Sequence, residues 1–173
     1  MQGLNDLADI PGPYVIVGHS LGGVFVRSYA HRYPDDVAGM VLVDPGSEWQ
    51  AARTGGNFCS ETQAAVSAKI AELHELGKEA ARGNITQLGD FPLVVISSGR
   101  NMSFSTDPAE DAHANEVYRT LQREMAAESP QGRYLVAENS GHNIQIDLPD
   151  VVTGAIRSIV QDIRDHQSGN PGP

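Results

Sequence analysis

The chain has 173 residues, with 12 Lys and Arg against 22 Asp and Glu, a formal charge of −10 at neutral pH and 40% apolar residues. This is one domain's length with enough aliphatic side chain for a single core, which excludes a wholly disordered or fibrous chain. The acidic balance and scattered basic residues argue against nucleic acid as a partner, and no apolar run reaches the roughly 18 residues of a membrane-spanning helix.

At the start, Met1-Gln2-Gly3-Leu4-Asn5-Asp6 has neither the basic nor the apolar region of a secretory signal, so a cytoplasmic location without a membrane span is expected. A short helix around Leu4 to Ala8 precedes the first aliphatic run, Tyr14-Val15-Ile16-Val17, which reads as a strand. Gly18-His19-Ser20-Leu21-Gly22-Gly23 follows, then an amphipathic helix over Leu21 to Tyr33 that Pro34-Asp35 closes. A second strand spans Val37 to Val43 and ends at Asp44-Pro45. The segment 46–89 is long for a crossover and carries Trp49, a Gly55-Gly56 break and a helix over Glu61 to Arg82 with Val66, Ile70 and Leu73 on one stripe. It reads either as a small cap or as an ordinary crossover helix with a loop. Asp90-Phe91-Pro92 introduces a third strand, Leu93 to Ile96, and a helix over Ala109 to Glu128 follows. After Ser129-Pro130-Gln131-Gly132 comes a fourth strand, Tyr134 to Ala137, then a loop with His142 and a final helix from Pro149 to Asp165. The domain is expected to span 1–167, with residues 168–173 as a disordered tail.

The four runs are almost purely aliphatic, as in strands buried on both faces, and they alternate with helices. The expected fold class is α/β, a parallel sheet of about four strands flanked by helices.

Gly18-His19-Ser20-Leu21-Gly22 is a G-x-S-x-G elbow between a strand and a helix, the context such a motif needs. A serine in a strained turn brings neighbouring chain so close that a Cβ at Gly18 or Gly22 is expected to clash. Ser20 then stands at the C-terminal edge of the sheet, with the Leu21 N–H at a helix N-terminus where a developing oxyanion is favoured.

A serine hydroxyl needs a base and an orienting carboxylate to act as a nucleophile. Of the six histidines, His31, His74, His113 and His166 fall in helices or the tail, and His19 inside the elbow reads as a packing residue whose ring points away from Ser20. His142, in Glu138-Asn139-Ser140-Gly141-His142 after the fourth strand, lies on the same edge as Ser20. Asp44 is the preferred carboxylate because it ends the second strand on that edge, extended ahead of Pro45. Asp107, Glu110 and Asp111 after the third strand are alternatives. Asp147, five residues past His142, reads as a cap for the last helix. The single Cys59 allows neither a disulfide nor a cysteine-based metal site, and no cofactor or metal is required.

The elbow in its strand-helix context, Tyr33-Pro34, Val41-Leu42-Val43-Asp44 and Ser140-Gly141-His142 together resemble the α/β-hydrolase fold family, from about residue 5 to 165. The resemblance is to the C-terminal half of that fold, from the elbow strand onward. It implies Ser20 as nucleophile with an acid and a histidine following in that order, which Ser20, Asp44 and His142 obey. The family's acid more often follows its seventh strand, where this chain reads Gly99-Arg100-Asn101; its alternative position, after the sixth strand, maps onto Asp44. Serine in the elbow differs from the epoxide hydrolase and dehalogenase relatives, which use aspartate there. The half of the fold that would carry the second oxyanion donor is not matched by this sequence.

These features imply a serine hydrolase of the carboxylesterase or lipase type, acting on a small-molecule ester, with Trp49 and the 46–89 segment shaping the acyl pocket. The alternative is a catalytically impaired half-fold that serves as a binding or oligomerising module, or an incomplete fragment of a larger hydrolase. The strand Tyr14 to Val17 would be an uncovered aliphatic edge, so a homodimer paired through it is expected. A sedimentation mass of one chain at micromolar concentration would sink that expectation.

Overall fold

Aliphatic runs without a polar interruption form the middle of the sheet. The computed structural model describes residues 11–47, 53 and 88–168. In chain order these form β1 (Tyr14–His19), α1 (Leu21–Arg32), a 3-10 turn (Pro34–Asp36), β2 (Val37–Val43), β3 (Leu93–Ser98), α2 (Pro108–Ala126), β4 (Gly132–Ala137), α3 (Ile144–Asp147) and α4 (Pro149–Gln167). The four strands are parallel in the order β1-β2-β3-β4. Val17 pairs with Val41 and Val41 with Val94, which aligns the ends of β1, β2 and β3 at one edge.

Each face of the sheet is covered by helix. On one side, α1 and α2 bring Val26, Tyr29, Ala30, Met125 and Ala126 onto Ile16, Met40, Leu42, Leu93 and Val95. On the other, α4 brings Val152, Ala155 and Ile159 onto Val41, Val43, Val94 and Ile96. The core of β2 and β3 is thus sealed on both faces, as its composition requires. A buried ion pair, with Arg27 Nε donating to Glu128 Oε2 at 2.9 Å, ties α1 to the chain just past α2.

The outer strands depart from the expected burial on both faces. Leu135 and Val136 of β4 remain 42% and 41% exposed, and Val17 of β1 is 44% exposed. On the face of Leu135 and Val17 the reason is lateral: α4 packs mainly over β2, with flanking contacts on β3 and β1, and leaves the outer strands at its margins. Aliphatic composition at a sheet edge therefore marks strand propensity without marking burial. The helix expected around Leu4 to Ala8, Trp49, Cys59, the Glu61 to Arg82 helix and the tail beyond Ser168 lie outside the described residues. Among the described residues, no helix is long and apolar enough to cross a membrane.

Candidate active site

The parallel register delivers β1 and β2 side by side, and the first chemistry-bearing residue sits where β1 turns into α1. Ser20 adopts φ 55° and ψ −124°. That is a sparsely populated region for a residue with a Cβ, costing about 1–3 kcal/mol. Backbone bonds hold it there: Ser20 N–H donates to Val43 O at 3.1 Å, while Ser20 O accepts from Gly23 N–H and Gly46 N–H, both at 3.0 Å. The elbow is thus stitched to the end of β2. The amide of Leu21 opens α1, so its N–H has no partner within the helix.

Within the elbow, glycine is required at two places, one of them not the position expected. A Cβ at Gly18 would lie 2.6 Å from Val26 Cγ2 and 2.8 Å from Gly22 O, as the motif implies. A Cβ at Gly22 would meet nothing within 4 Å, whereas one at Gly23 would lie 2.7 Å from Pro45 Cβ. The close approach is therefore between the first turn of α1 and the chain leaving β2, and Gly23 permits it.

One residue beyond β2, Asp44 is fully buried and takes a left-handed backbone, φ 39°, rather than the extended one expected ahead of Pro45, because donors around the turn hold it there. Its Oδ2 is 2.7 Å from His142 Nδ1, and its Oδ1 accepts from Ser98 N–H at 2.9 Å. His142, with 29% of its side chain exposed, comes from the loop after β4. An ionised carboxylate only accepts, so Nδ1 carries the proton of this bond and Nε2 of a neutral imidazole is left as a proton acceptor. Among the described residues, no hydrogen bond joins Ser20 Oγ to His142. The structure thus brings Asp44 and His142 together and places Ser20 on the neighbouring strand end.

The competing carboxylates are occupied elsewhere. Asp107 caps α2, accepting from Ala109 N–H and Glu110 N–H at 2.8 and 3.0 Å. Asp111 accepts from Phe104 N–H and Ser105 N–H, and Glu110 from the Ser105 hydroxyl. Asp147 does not cap α4, whose N-cap is Leu148 without a side-chain bond. It turns back instead, with Oδ2 accepting from Gly141 N–H at 2.9 Å and Ser140 Oγ–H at 3.1 Å, which fixes the loop just before His142. His31, His113 and His166 lie in or at the ends of α1, α2 and α4, and His74 lies outside the described residues.

Three contributions escape the sequence reading. His19 packs, as expected, but against the loop histidine: its Nε2 donates to His142 O at 3.0 Å and the two rings lie 4.7 Å apart. From α2, Tyr118 Oη donates to Asp44 O at 2.8 Å. Gln122, one turn further on, donates from Nε2 to Asp44 Oδ1 at 3.1 Å and to Pro45 O at 3.0 Å. Burial first, then the charge of Asp44 and the bond to that residue, push the Tyr118 phenol well above its ordinary range, so it remains a donor. A signal was available, because Tyr118, Leu121, Gln122 and Met125 form one apolar stripe on which a glutamine is out of place.

The comparisons agree with this architecture. The sequence model of the alpha/beta hydrolase fold matches residues 6–58. The uncharacterized protein YqjL of Bacillus subtilis is 29% identical over 170 residues, covering 92% of this chain and 61% of YqjL. A probable hydrolytic enzyme of Pseudomonas aeruginosa superposes with a TM-score of 0.60 at 17% identity, covering 91% of this chain and 66% of that one. A thermophilic esterase of Thermogutta terrifontis superposes with a TM-score of 0.55 at 22% identity, covering 93% of this chain and 69% of the esterase. The chain thus spans about three fifths of YqjL and about two thirds of these solved structures. Its fold is the α/β-hydrolase fold, of which it holds a part.

Proposed function

We propose that this chain carries a serine hydrolase site that cleaves carboxylic esters through an acyl-enzyme. The observation that carries the reading is the 2.7 Å bond between Asp44 Oδ2 and His142 Nδ1 at the strand edge where Ser20 is held at φ 55°. Relatives of this fold with hydrolase and esterase names support it, and an esterase is among the superposed structures.

Ser20 Oγ attacks the acyl carbon as His142 Nε2 takes its proton, and the carbonyl electron pair moves to oxygen opposite the Leu21 N–H. Collapse expels the alcohol, which leaves with the proton from His142. Water then attacks the acyl-Ser20 ester with His142 again as base, and the carboxylic acid departs as Ser20 regains its proton. Asp44 holds the imidazole with Nε2 free and stabilises the imidazolium that forms twice per cycle. A second donor to the oxyanion would come from outside the described residues.

The test is hydrolysis of a short-chain p-nitrophenyl ester by the purified chain beside Ser20→Ala and His142→Ala. Each substitution is expected to lower kcat by about 10⁴-fold or more, to the level of the site without its nucleophile or base. Turnover equal in all three proteins, each shown to be folded, removes the esterase reading and leaves a binding module.

A further inference from the structure

Asp44 is fully buried and, among the described residues, has donors on both of its carboxylate oxygens. Only one of those donors is a side chain that does not touch the proposed nucleophile-base pair, and it belongs to Gln122. We infer that Gln122 is a positioning residue of this site: through Asp44 it sets the orientation and tautomer of His142. The inference rests on the triad reading and deepens it.

Three observations support the assignment. First, the two acceptors of Gln122 Nε2, Asp44 Oδ1 at 3.1 Å and Pro45 O at 3.0 Å, span the turn in which Asp44 takes φ 39°. One amide therefore fixes both the backbone that presents the carboxylate and the rotation of the carboxylate itself. Second, the orientation of the amide is determined by its surroundings, because reversing it would set Oε1 against two oxygens. Third, Gln122 is fully buried and its Oε1 has no hydrogen-bond partner among the described residues. A buried orphan acceptor is costly, and an apolar side chain of similar length would remove that cost on the packing face of α2. Packing alone does not account for the glutamine, whereas the carboxylate it addresses does.

The consequence is mechanical. With Ser98 N–H and Gln122 Nε2 both on Oδ1, the carboxylate plane is fixed and Oδ2 is left to His142 Nδ1. Without Gln122, one donor remains on Oδ1, the carboxylate can rotate about its χ2, and the Nδ1–H bond loses its fixed acceptor. Ser20 and the elbow are untouched, since among the described residues Gln122 bonds to the chain leaving β2 and to Tyr118 on its own helix.

The experiment compares the wild-type chain with Gln122→Met, which keeps the side chain's length and removes the donor. Two readouts are taken. The proton on His142 Nδ1 is observed by NMR of the nitrogen-15-labelled protein and assigned by its disappearance in His142→Ala. In wild type it gives a resolved, slowly exchanging signal; in Gln122→Met this signal is expected to be lost to exchange. Hydrolysis of a p-nitrophenyl ester is expected to fall about tenfold in kcat, the order of one net hydrogen bond, with KM unchanged to within about twofold. A glutamine with a purely structural role would lower thermal stability and leave both the resonance and kcat in place, and that result overturns the proposal. If Gln122→Met does not fold, Gln122→Asn retains an amide one methylene short of Asp44 and is expected to lose the same resonance. A wild-type chain that hydrolyses no ester but whose Nδ1 proton depends on Gln122 refutes the esterase reading and leaves the positioning role standing.

Discussion

Two neighbouring strand ends carry a non-glycine residue with positive φ, and they are held by different means. Ser20, at the end of β1, is fixed by its own backbone bonds and by the absence of side chains at Gly18 and Gly23. Asp44, at the end of β2, is fixed by donors: Ser98 N–H, Gln122 Nε2, Tyr118 Oη and His142 Nδ1. The conformation of Ser20, the proposed nucleophile, is a matter of sterics at a partly exposed edge, and that of Asp44 a matter of hydrogen bonding in a sealed interior. A substitution at one end should therefore fail differently from a substitution at the other.

The largest effect that separates them is expected from Asp44→Asn. The asparagine amide must put either its NH2 or its oxygen toward His142. With the oxygen there, the NH2 meets Ser98 N–H and Gln122 Nε2, donor against donor. With the NH2 there, His142 Nδ1 must become an acceptor and Nε2 carries the proton, the tautomer that cannot receive one from Ser20. Both arrangements impair the base while leaving the elbow intact. Expected is a loss of about 10⁴-fold in kcat, with Ser20 still present but slow to react with a phosphonate ester. Retained turnover would mean that the carboxylate of this site lies elsewhere.

The steric end is tested by glycine substitutions that differ only in what a methyl would meet. Gly18→Ala drives a Cβ into Val26 Cγ2 and Gly22 O, so it is expected to destabilise the fold by about 1–3 kcal/mol, as overpacking does. Gly22→Ala adds a methyl to open space in the first turn of α1 and is expected to be neutral or to stabilise by up to about 1 kcal/mol. Urea denaturation reads both. Equal destabilisation by the two variants would remove the steric account of the elbow.

The same contrast explains what could be read from the chain. β2 and β3 were legible because Val37–Val43 and Leu93–Ile96 carry no polar side chain and have few other homes. The placement of Ser20 and His142 at one edge of the sheet followed from position, since parallel strands gather their C-terminal loops. The place of Asp44 at the end of β2 followed from the aliphatic run before it, whereas its backbone did not: Pro45 pointed to an extended residue and Asp44 takes φ 39°, and only geometry separates it from Asp107, Glu110 and Asp111. What was not legible depends on contacts between distant elements. The motif singles out Gly22, yet Gly23 is the residue that faces Pro45, and no local pattern records that approach. A glutamine on the apolar stripe of α2 is out of place in the sequence, but no pattern names its partner: Gln122 and Tyr118 meet Asp44 across 78 and 74 residues of chain. Edge exposure of β1 and β4 is a property of sheet order, to which strand composition is blind.

The smallest expected effect concerns the hydrogen-bonded end alone and depends on pH. Tyr118 donates to Asp44 O, and burial together with the Asp44 charge raises its phenol well above the ordinary range. In the unfolded chain that phenol ionises near pH 10, as model tyrosines do. Between about pH 10 and its folded value, the native state holds a proton the unfolded state has released, so stability falls as pH rises, by about 1.4 kcal/mol per unit for one full proton. Below about pH 10 the contribution is present in full. Tyr118→Phe removes the hydroxyl, costing about 1 kcal/mol at pH 8 through the lost bond, and removes this slope as well. Tyr29, raised to about 12 chiefly by its bond to Asp36, adds a slope of the same sign to both proteins and cancels in their difference. The wild-type advantage in urea denaturation should thus be constant up to about pH 10 and then shrink toward zero or reverse by about pH 11. A difference that stays flat across this range would mean that Tyr118 loses its proton as readily in the folded chain as in the unfolded one, and that the interior around Asp44 is wetter than its burial implies.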